Sequence, residues 1–386
     1  VALAKVNDKN DHFSGYEIVD NQFNKLVIPM STTRSTSTLQ KGEIFIERNL
    51  KTAKEVSVSD LDNRHIHVIS YILLPIMDGD RLIAGIHVSL GRVFDLTDNE
   101  IKNLESITLL LSVAIKQLDL KNELLQINKD NIDSLNYAQN IQRTILPEIT
   151  KLTKTFSDIS LYFKPRNIVS GDFYWAKEKN GLTFIAVADC TGHGVPGAFL
   201  TLIGSRILEQ IVDIEKITNP AEILMKLDDQ IYLSLNNKEH DIIRDGMEIG
   251  LCVIDTKTNK LSFAGAGLGL LYFINDQEFY IKGQRKSIGD YRDDDFKFKT
   301  IEIDVTGEEC FYMATDGYQD QLGGNHYKRF SKKRTIDLLK SIIPKSGIEK
   351  EQILSKEMDE FIGIHQQTDD ITVVSFSIKP NKKVVD

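Results

Sequence analysis

The rhythm of apolar and polar positions changes twice along the chain, and the changes predict three regions. Up to about residue 100 the apolar runs are short. Those at 65–74 and 81–88 have the length of strands, and Asp78-Gly79 between them is a hairpin signal, because glycine accepts positive φ. Residues 31–38 are polar and rich in Ser and Thr, which reads as a loop. Region 1–100 is therefore expected to be a small α+β sheet domain.

From about residue 97 to 146 the period becomes helical. Thr97 or Asp98 suits the N-cap with Glu100 following, and Pro147 stops the run. Leu111, Leu118, Leu125 and Ile132 recur every seven residues, and Ile107, Ala114 and Leu135 occupy the companion seam. Lys121 and Asn128 fall on that second seam, where polar residues weaken a coiled coil but fix its register. Two readings follow: a helix packed on its own domain, or a parallel dimer stalk along 107–145. The linker is placed at 101–147.

Beyond it, 148–380 alternates strand-like runs with helical stretches at about 197–212, 219–236, 331–342 and 348–365. Strands, two helices, strands, two helices and a last strand make a layered α+β arrangement rather than a doubly wound sheet.

Within this region several aspartates stand at the ends of apolar runs. Asp172 lies in Ser170-Gly171-Asp172-Phe173-Tyr174; Asp189 ends Phe184-Ile185-Ala186-Val187-Ala188-Asp189; Asp316 ends Phe311-Tyr312-Met313-Ala314-Thr315-Asp316; Asp369-Asp370 opens Ile371-Thr372-Val373-Val374. An ionised carboxylate at the rim of a core is costly without a compensating positive charge. Four such ends suggest a metal cluster, and all-oxygen ligands favour Mg²⁺ or Mn²⁺ over zinc. Each alone also reads as a solvated turn or cap.

The stretch Asp189-Cys190-Thr191-Gly192-His193-Gly194-Val195-Pro196-Gly197 leads from a strand into a helix. A lone Asp before glycines is ordinarily a turn; here carboxylate, free carbonyls and a helix N-terminus together suit a metal and a phosphate. His193 has no second His or Cys at zinc-ligand spacing. It reads as a hydrogen-bonded support of the loop, with a proton-donor role as the alternative. Asp245 and Glu248 precede another strand, where either reads as a surface turn. The basic stretch 328–334 reads as a solvated face or as a docking site for an anionic phosphoprotein.

Bulk properties narrow the classes. A net charge of −9 argues against a nucleic-acid binder. Three dispersed cysteines without a CxxC pair read as reduced thiols of a cytoplasmic protein. No apolar run approaches the roughly 18 residues of a membrane span, and no leader is visible. A first residue of Val1 is expected of a piece of something longer. Neither a P-loop nor a G-x-S-x-G elbow occurs.

The four aspartate motifs, with Ala138-Gln139-Asn140-Ile141-Gln142-Arg143-Thr144-Ile145-Leu146-Pro147 ahead of them, resemble the metal-dependent (PPM) serine/threonine phosphatases, in the bacterial branch of sporulation stage-two and sigma-factor-regulating enzymes. The resemblance covers about 137–380, and the region before it resembles a GAF-type sensor loosely. It implies a β-sandwich flanked by helices in α-β-β-α layers, two Mn²⁺ or Mg²⁺ ions, and attack by a water shared between them. Asp189 would bridge the ions. Asp316 and Asp369 would complete one site, Asp172 and the Cys190 carbonyl the other; Asp370, Gly192 and Gly194 would support them. Ser170 replaces a common glycine, and Trp175 stands where an acid is frequent. The resemblance also implies a regulatory phosphoprotein substrate, such as an anti-sigma-factor antagonist, and a signal, small molecule or protein, received by the N-terminal domain. A non-catalytic interaction protein of the same fold is the rival reading. A nucleotide phosphodiesterase is a third, for which no base-binding element is seen.

Overall fold

Period-two burial builds the N-terminal unit. In β1 (Ala2–Val6), Ala2, Ala4 and Val6 are buried while Leu3 and Lys5 face outward. The computed structural model describes residues 2–7, 12–19, 22–29, 34–48, 69–90, 92–93, 96–152, 154–236, 244–275, 277–290 and 295–381. With β2 (His12–Val19), β3 (Gln22–Pro29), β4 (Phe45–Glu47), β5 (Ser70–Asp78) and β6 (Arg81–Leu90), β1 forms an antiparallel sheet ordered β3-β2-β1-β6-β5-β4. Gly79 turns the β5–β6 hairpin at φ +59°, as Asp78-Gly79 predicts. Positions 65–68 of the expected strand lie outside the described residues.

The polar stretch expected as a loop corrects to a helix over its described part, α1 (Arg34–Gln40). The reason is tertiary. Leu39 is buried with Ala4, Val6, Phe13 and Leu82, and this apolar anchor outweighs the weak helix propensity of Ser and Thr.

α2 (Asp98–Ile145) is a single helix of 48 residues. A reciprocal cap starts it: the Thr97 N–H and hydroxyl donate to Glu100 Oε2 at 2.8 Å, and Glu100 N–H donates to Thr97 Oγ1. Two compact units, Val1–Asp130 and Asn131–Asp386, divide within it. In the first unit Lys116 pairs with Asp78 at 2.6 Å and Ser112 donates to the Met77 carbonyl. Leu118, Leu125 and Ile132 of the heptad seam are exposed.

The second unit is a sandwich of two five-stranded sheets. One holds β8 (Asp172–Lys179), β9 (Leu182–Cys190), β10 (Met247–Asp255), β11 (Lys260–Ala266) and β14 (Ile301–Asp304), in the order β14-β11-β10-β9-β8. The other holds β7 (Phe156–Lys164), β12 (Leu270–Ile274), β13 (Gln277–Ile281), β15 (Cys310–Ala314) and β18 (Ile371–Ile378), in the order β13-β12-β15-β18-β7. α3 (Val195–Asp213) and α4 (Pro220–Leu235) cover the first sheet. The short α5 (Gly317–Asp320), α6 (Lys332–Ser341) and α7 (Gly347–Ile362) lie on the side of the second, and β16 (Leu322–Gly323) and β17 (Lys328–Arg329) pair between α5 and α6 in the chain.

The continuous apolar runs follow from this layering, because each central strand is buried on both faces. In β9, Phe184, Ala186 and Ala188 face α3 and α4, whereas Ile185 and Val187 enter the inter-sheet core. In β15, Phe311 and Met313 face the inter-sheet core, and Cys310 and Tyr312 face α6 and α7. One expectation is corrected here. α3 is long and apolar enough to cross a membrane, yet 50% of its most apolar window is buried, and Leu200, Ile207, Leu208 and Ile211 belong to the core. Such burial marks a core helix.

Candidate active site: a carboxylate cluster between two sheets

Strand register brings the acids together. Asp172, first in β8, sits opposite Asp189 near the end of β9, and Asp189 sits opposite Glu248 in β10. Three adjacent strands thus place an acid at the same level, and laterally paired residues share a face of the sheet. The second sheet contributes Asp316 just after β15 and Asp369-Asp370 just before β18.

Asp172 is 2% exposed and joins the sheets. Its Oδ2 accepts from Thr315 Oγ1 at 2.7 Å and Thr372 Oγ1 at 2.8 Å. The same threonines tie β15 to β18: Thr315 N–H donates to the Thr372 carbonyl and Thr372 N–H to Thr315 Oγ1, both at 3.0 Å. Neither threonine stands out in the sequence, where a β-branched residue at a strand end is ordinary.

Asp370 supports rather than faces the cluster. It is buried, its Oδ1 accepts from Arg166 N–H at 2.6 Å, and its Oδ2 accepts from Gly171 N–H at 2.7 Å. Its own N–H donates to Asp369 Oδ1 at 2.8 Å. The loop ahead of Asp172 is held from the other side by Gln142, buried in the last turn of α2, which bonds both backbone groups of Ser170. In the sequence Gln142 carries no signal beyond its place in the stretch Ile141-Gln142-Arg143-Thr144-Ile145-Leu146-Pro147.

Gly192 and Gly194 turn between β9 and α3 at φ +79° and +70°. The Gly192 carbonyl presses so closely on Gly171 and Gly197 that a Cβ at either would lie 2.6 or 2.5 Å from it. Thr191 closes the turn: its N–H donates to the Gly246 carbonyl at 2.9 Å and its hydroxyl to Asp245 at 3.0 Å. His193 is exposed, and its ring makes no hydrogen bond among the described residues. The loop support expected of His193 is thus supplied by Thr191. The Cys190 side chain points into the core, where burial holds its thiol well above its usual range.

Electrostatics ties the acids into one group. Burial raises the Asp189 carboxyl far above the usual carboxylate range, and Asp172, Asp316, Asp369 and Glu248 raise it further. Asp172 is raised by burial against the lowering hydrogen bonds of Thr315 and Thr372, and Asp316 by burial with Asp369, Asp320 and Glu248. Among the described residues no three acids are already drawn together closely enough to hold an ion. The donor set nevertheless fits a hard divalent cation. It consists of oxygen ligands from both sheets that disfavour one another's ionisation and gain most from a shared positive charge. Glu248, read from sequence as a surface turn, belongs to this group. Its signal was its place one residue into an apolar strand.

Comparison with known proteins accounts for the arrangement. A family model for stage II sporulation protein E (SpoIIE) matches residues 179–379. The chain belongs to the SpoIIE family. Asp189, Asp316 and Asp369 fall within the matched span, and Asp172 lies seven residues ahead of it. Among solved structures, this SpoIIE-family chain is similar to the SiaA PP2C domain of Pseudomonas aeruginosa, with 33% identity and a TM-score of 0.59 over 66% of this chain and 99% of that one. The PP2C phosphatase domain of SpoIIE from Bacillus subtilis, solved with a fragment of its regulatory domain, matches at 18% identity and TM-score 0.46, over 59% and 64% of the two chains. The RsbU and RsbW domains of a Mycobacterium tuberculosis protein match at 17% identity and TM-score 0.46, over 58% and 60%. No curated protein matches the chain. The SpoIIE-family member therefore has a PP2C-type phosphatase fold, preceded by the long helix α2.

Proposed function

We propose that the chain is a protein serine/threonine phosphatase hydrolysing phosphoserine or phosphothreonine on a regulatory protein of the anti-sigma-factor-antagonist kind. The observation that carries this reading is the convergence of Asp172, Asp189, Asp316 and Asp369 from four strand ends in a family of PP2C-type fold. Two Mn²⁺ or Mg²⁺ ions, held by these four and the Cys190 carbonyl, would supply Lewis-acid charge for the phosphoryl oxygens and for water activation.

The chain's own contribution is positioning. Thr315 and Thr372 fix the Asp172 carboxylate, Asp370 and Gln142 fix the loop that presents it, and Thr191 fixes the turn after Asp189. A preorganised constellation of this kind lowers the barrier to phosphoryl transfer without a covalent step on the protein. His193, exposed in the turn, is a candidate to protonate the departing serine oxygen. We assign the N-terminal unit a sensing role, and α2 a dimerising one through its exposed Leu118, Leu125 and Ile132. A cytoplasmic location accords with three free cysteines.

The deciding experiment measures hydrolysis of p-nitrophenyl phosphate and a phosphoserine peptide, with and without Mn²⁺, by wild type and Asp189→Asn. Metal-dependent turnover lost in the variant is the expected result. An inert wild type in every metal would overturn the enzyme reading in favour of an interaction protein.

A further inference from the structure

A cleft of about 150 Å³ opens beside the carboxylate cluster. Asp189 and Asp316 line it, and so do Tyr280 of β13 and Lys332, the first residue of α6. Leu271 and Leu339, both buried residues of the second sheet's outer core, add an apolar surface. The volume is about five times a water molecule's share of liquid, enough for one amino-acid side chain.

Tyr280 and Lys332 are held by their neighbours. Tyr280 packs on the backbone at Gly269 so closely that a Cβ there would lie 2.6 Å from its hydroxyl. The Lys332 ammonium lies 4.0 Å from the centre of the Tyr280 ring, a cation–π distance that holds a long side chain in one direction. Ser331 caps the helix that carries it, accepting from Arg334 N–H.

The two arginines near Lys332 in the chain are engaged. Arg329 pairs with Asp320 at 3.2 Å, and Arg334 lies over Phe330 and Phe361 within reach of Glu357. Lys332 meets no carboxylate among the described residues. The basic residues of 328–334 are all exposed, as a solvated face requires, but they are not equivalent. The arginines are engaged at the surface by Asp320, Glu357 and the Phe330 and Phe361 rings, while Lys332 stands at the cleft without an ion-pair partner among the described residues.

We propose that this cleft is a substrate subsite, which takes the residue beside the phosphoserine and selects an acidic side chain there through Lys332. The inference rests on the phosphatase reading above. With the phosphoryl group at the carboxylate cluster, a neighbouring Glu lays its aliphatic stem along Leu271 and Leu339. Its carboxylate then meets the ammonium over Tyr280. Charge complementarity sets the preference, and the aromatic wall sets the direction.

The test compares two phosphoserine peptides that differ only by Glu or Gln beside the phosphoserine. Both kcat/KM and binding, by fluorescence anisotropy, are measured with wild type, Lys332→Ala and Lys332→Arg. Wild type is expected to favour the Glu peptide about tenfold, through KM and Kd, the size of one interfacial charge pair. Lys332→Ala is expected to abolish the preference and Lys332→Arg to keep it. An unchanged ratio in Lys332→Ala, or equal loss of both peptides, overturns the proposal. A Lys332-dependent binding preference without turnover upholds the subsite and refutes the phosphatase reading.

Discussion

Gln142 and Ser170 are joined by two hydrogen bonds: Gln142 Nε2 donates to the Ser170 carbonyl at 2.7 Å, and Ser170 N–H donates to Gln142 Oε1 at 3.1 Å. One side chain in the last turn of α2 thereby satisfies both backbone groups of a residue two positions before Asp172. A buried amide used this way is costly to remove, because its partners cannot turn to water. Gln142→Ala is expected to destabilise the unit by about 2 kcal/mol in urea unfolding. It is also expected to weaken Mn²⁺ binding in calorimetric titration, because the loop presenting Asp172 loosens. Unaltered stability and metal affinity would mean that the loop holds itself.

The Ser170 hydroxyl is buried without a hydrogen-bond partner among the described residues. Its backbone is engaged while its side chain gains nothing, so Ser170→Ala is expected to raise stability by about 1 kcal/mol. Thermal unfolding of the pair checks this; a lower midpoint for the alanine variant would show that the hydroxyl is bonded in solution.

Glu309 offers a pH dependence remote from the cluster. Burial alone would raise its carboxyl, but the Thr306 N–H and hydroxyl and the Gly307 N–H bond it, and the net effect is a lowered pKa. A folded-state value below the unfolded one, about 4.3 for glutamate, adds stability that is complete above that value. The contribution fades as pH falls through the folded pKa. Denaturant midpoints of wild type and Glu309→Gln should therefore converge on acidification from pH 6 to pH 3. A gap that stays constant would refute the assignment.

The exposed seam of α2 yields a prediction about assembly. Replacing Leu118 and Leu125, 60% and 56% exposed, by glutamate should convert a dimer to a monomer in light scattering. Activity should change with it if helix packing and the cluster are coupled. A monomeric variant with unchanged activity would separate the two.

The amino-acid sequence alone determined the apolar runs that become β9, β10, β15 and β18, four helices of the sandwich and the aspartates at strand ends. These are local signals: a doubly buried strand must be continuously apolar, and an acid closing such a run stands out. The reciprocal Thr97–Glu100 cap was legible for the same reason. What only the tertiary structure decided lies across strands and between layers. Glu248 enters the cluster because β10 pairs with β9 in the register that sets it beside Asp189. Thr315 and Thr372 matter because two sheets approach closely enough for both hydroxyls to reach Asp172. α1 forms because Leu39 finds a core. Register and inter-layer approach depend on residues far apart in the chain, so no window of sequence carries them.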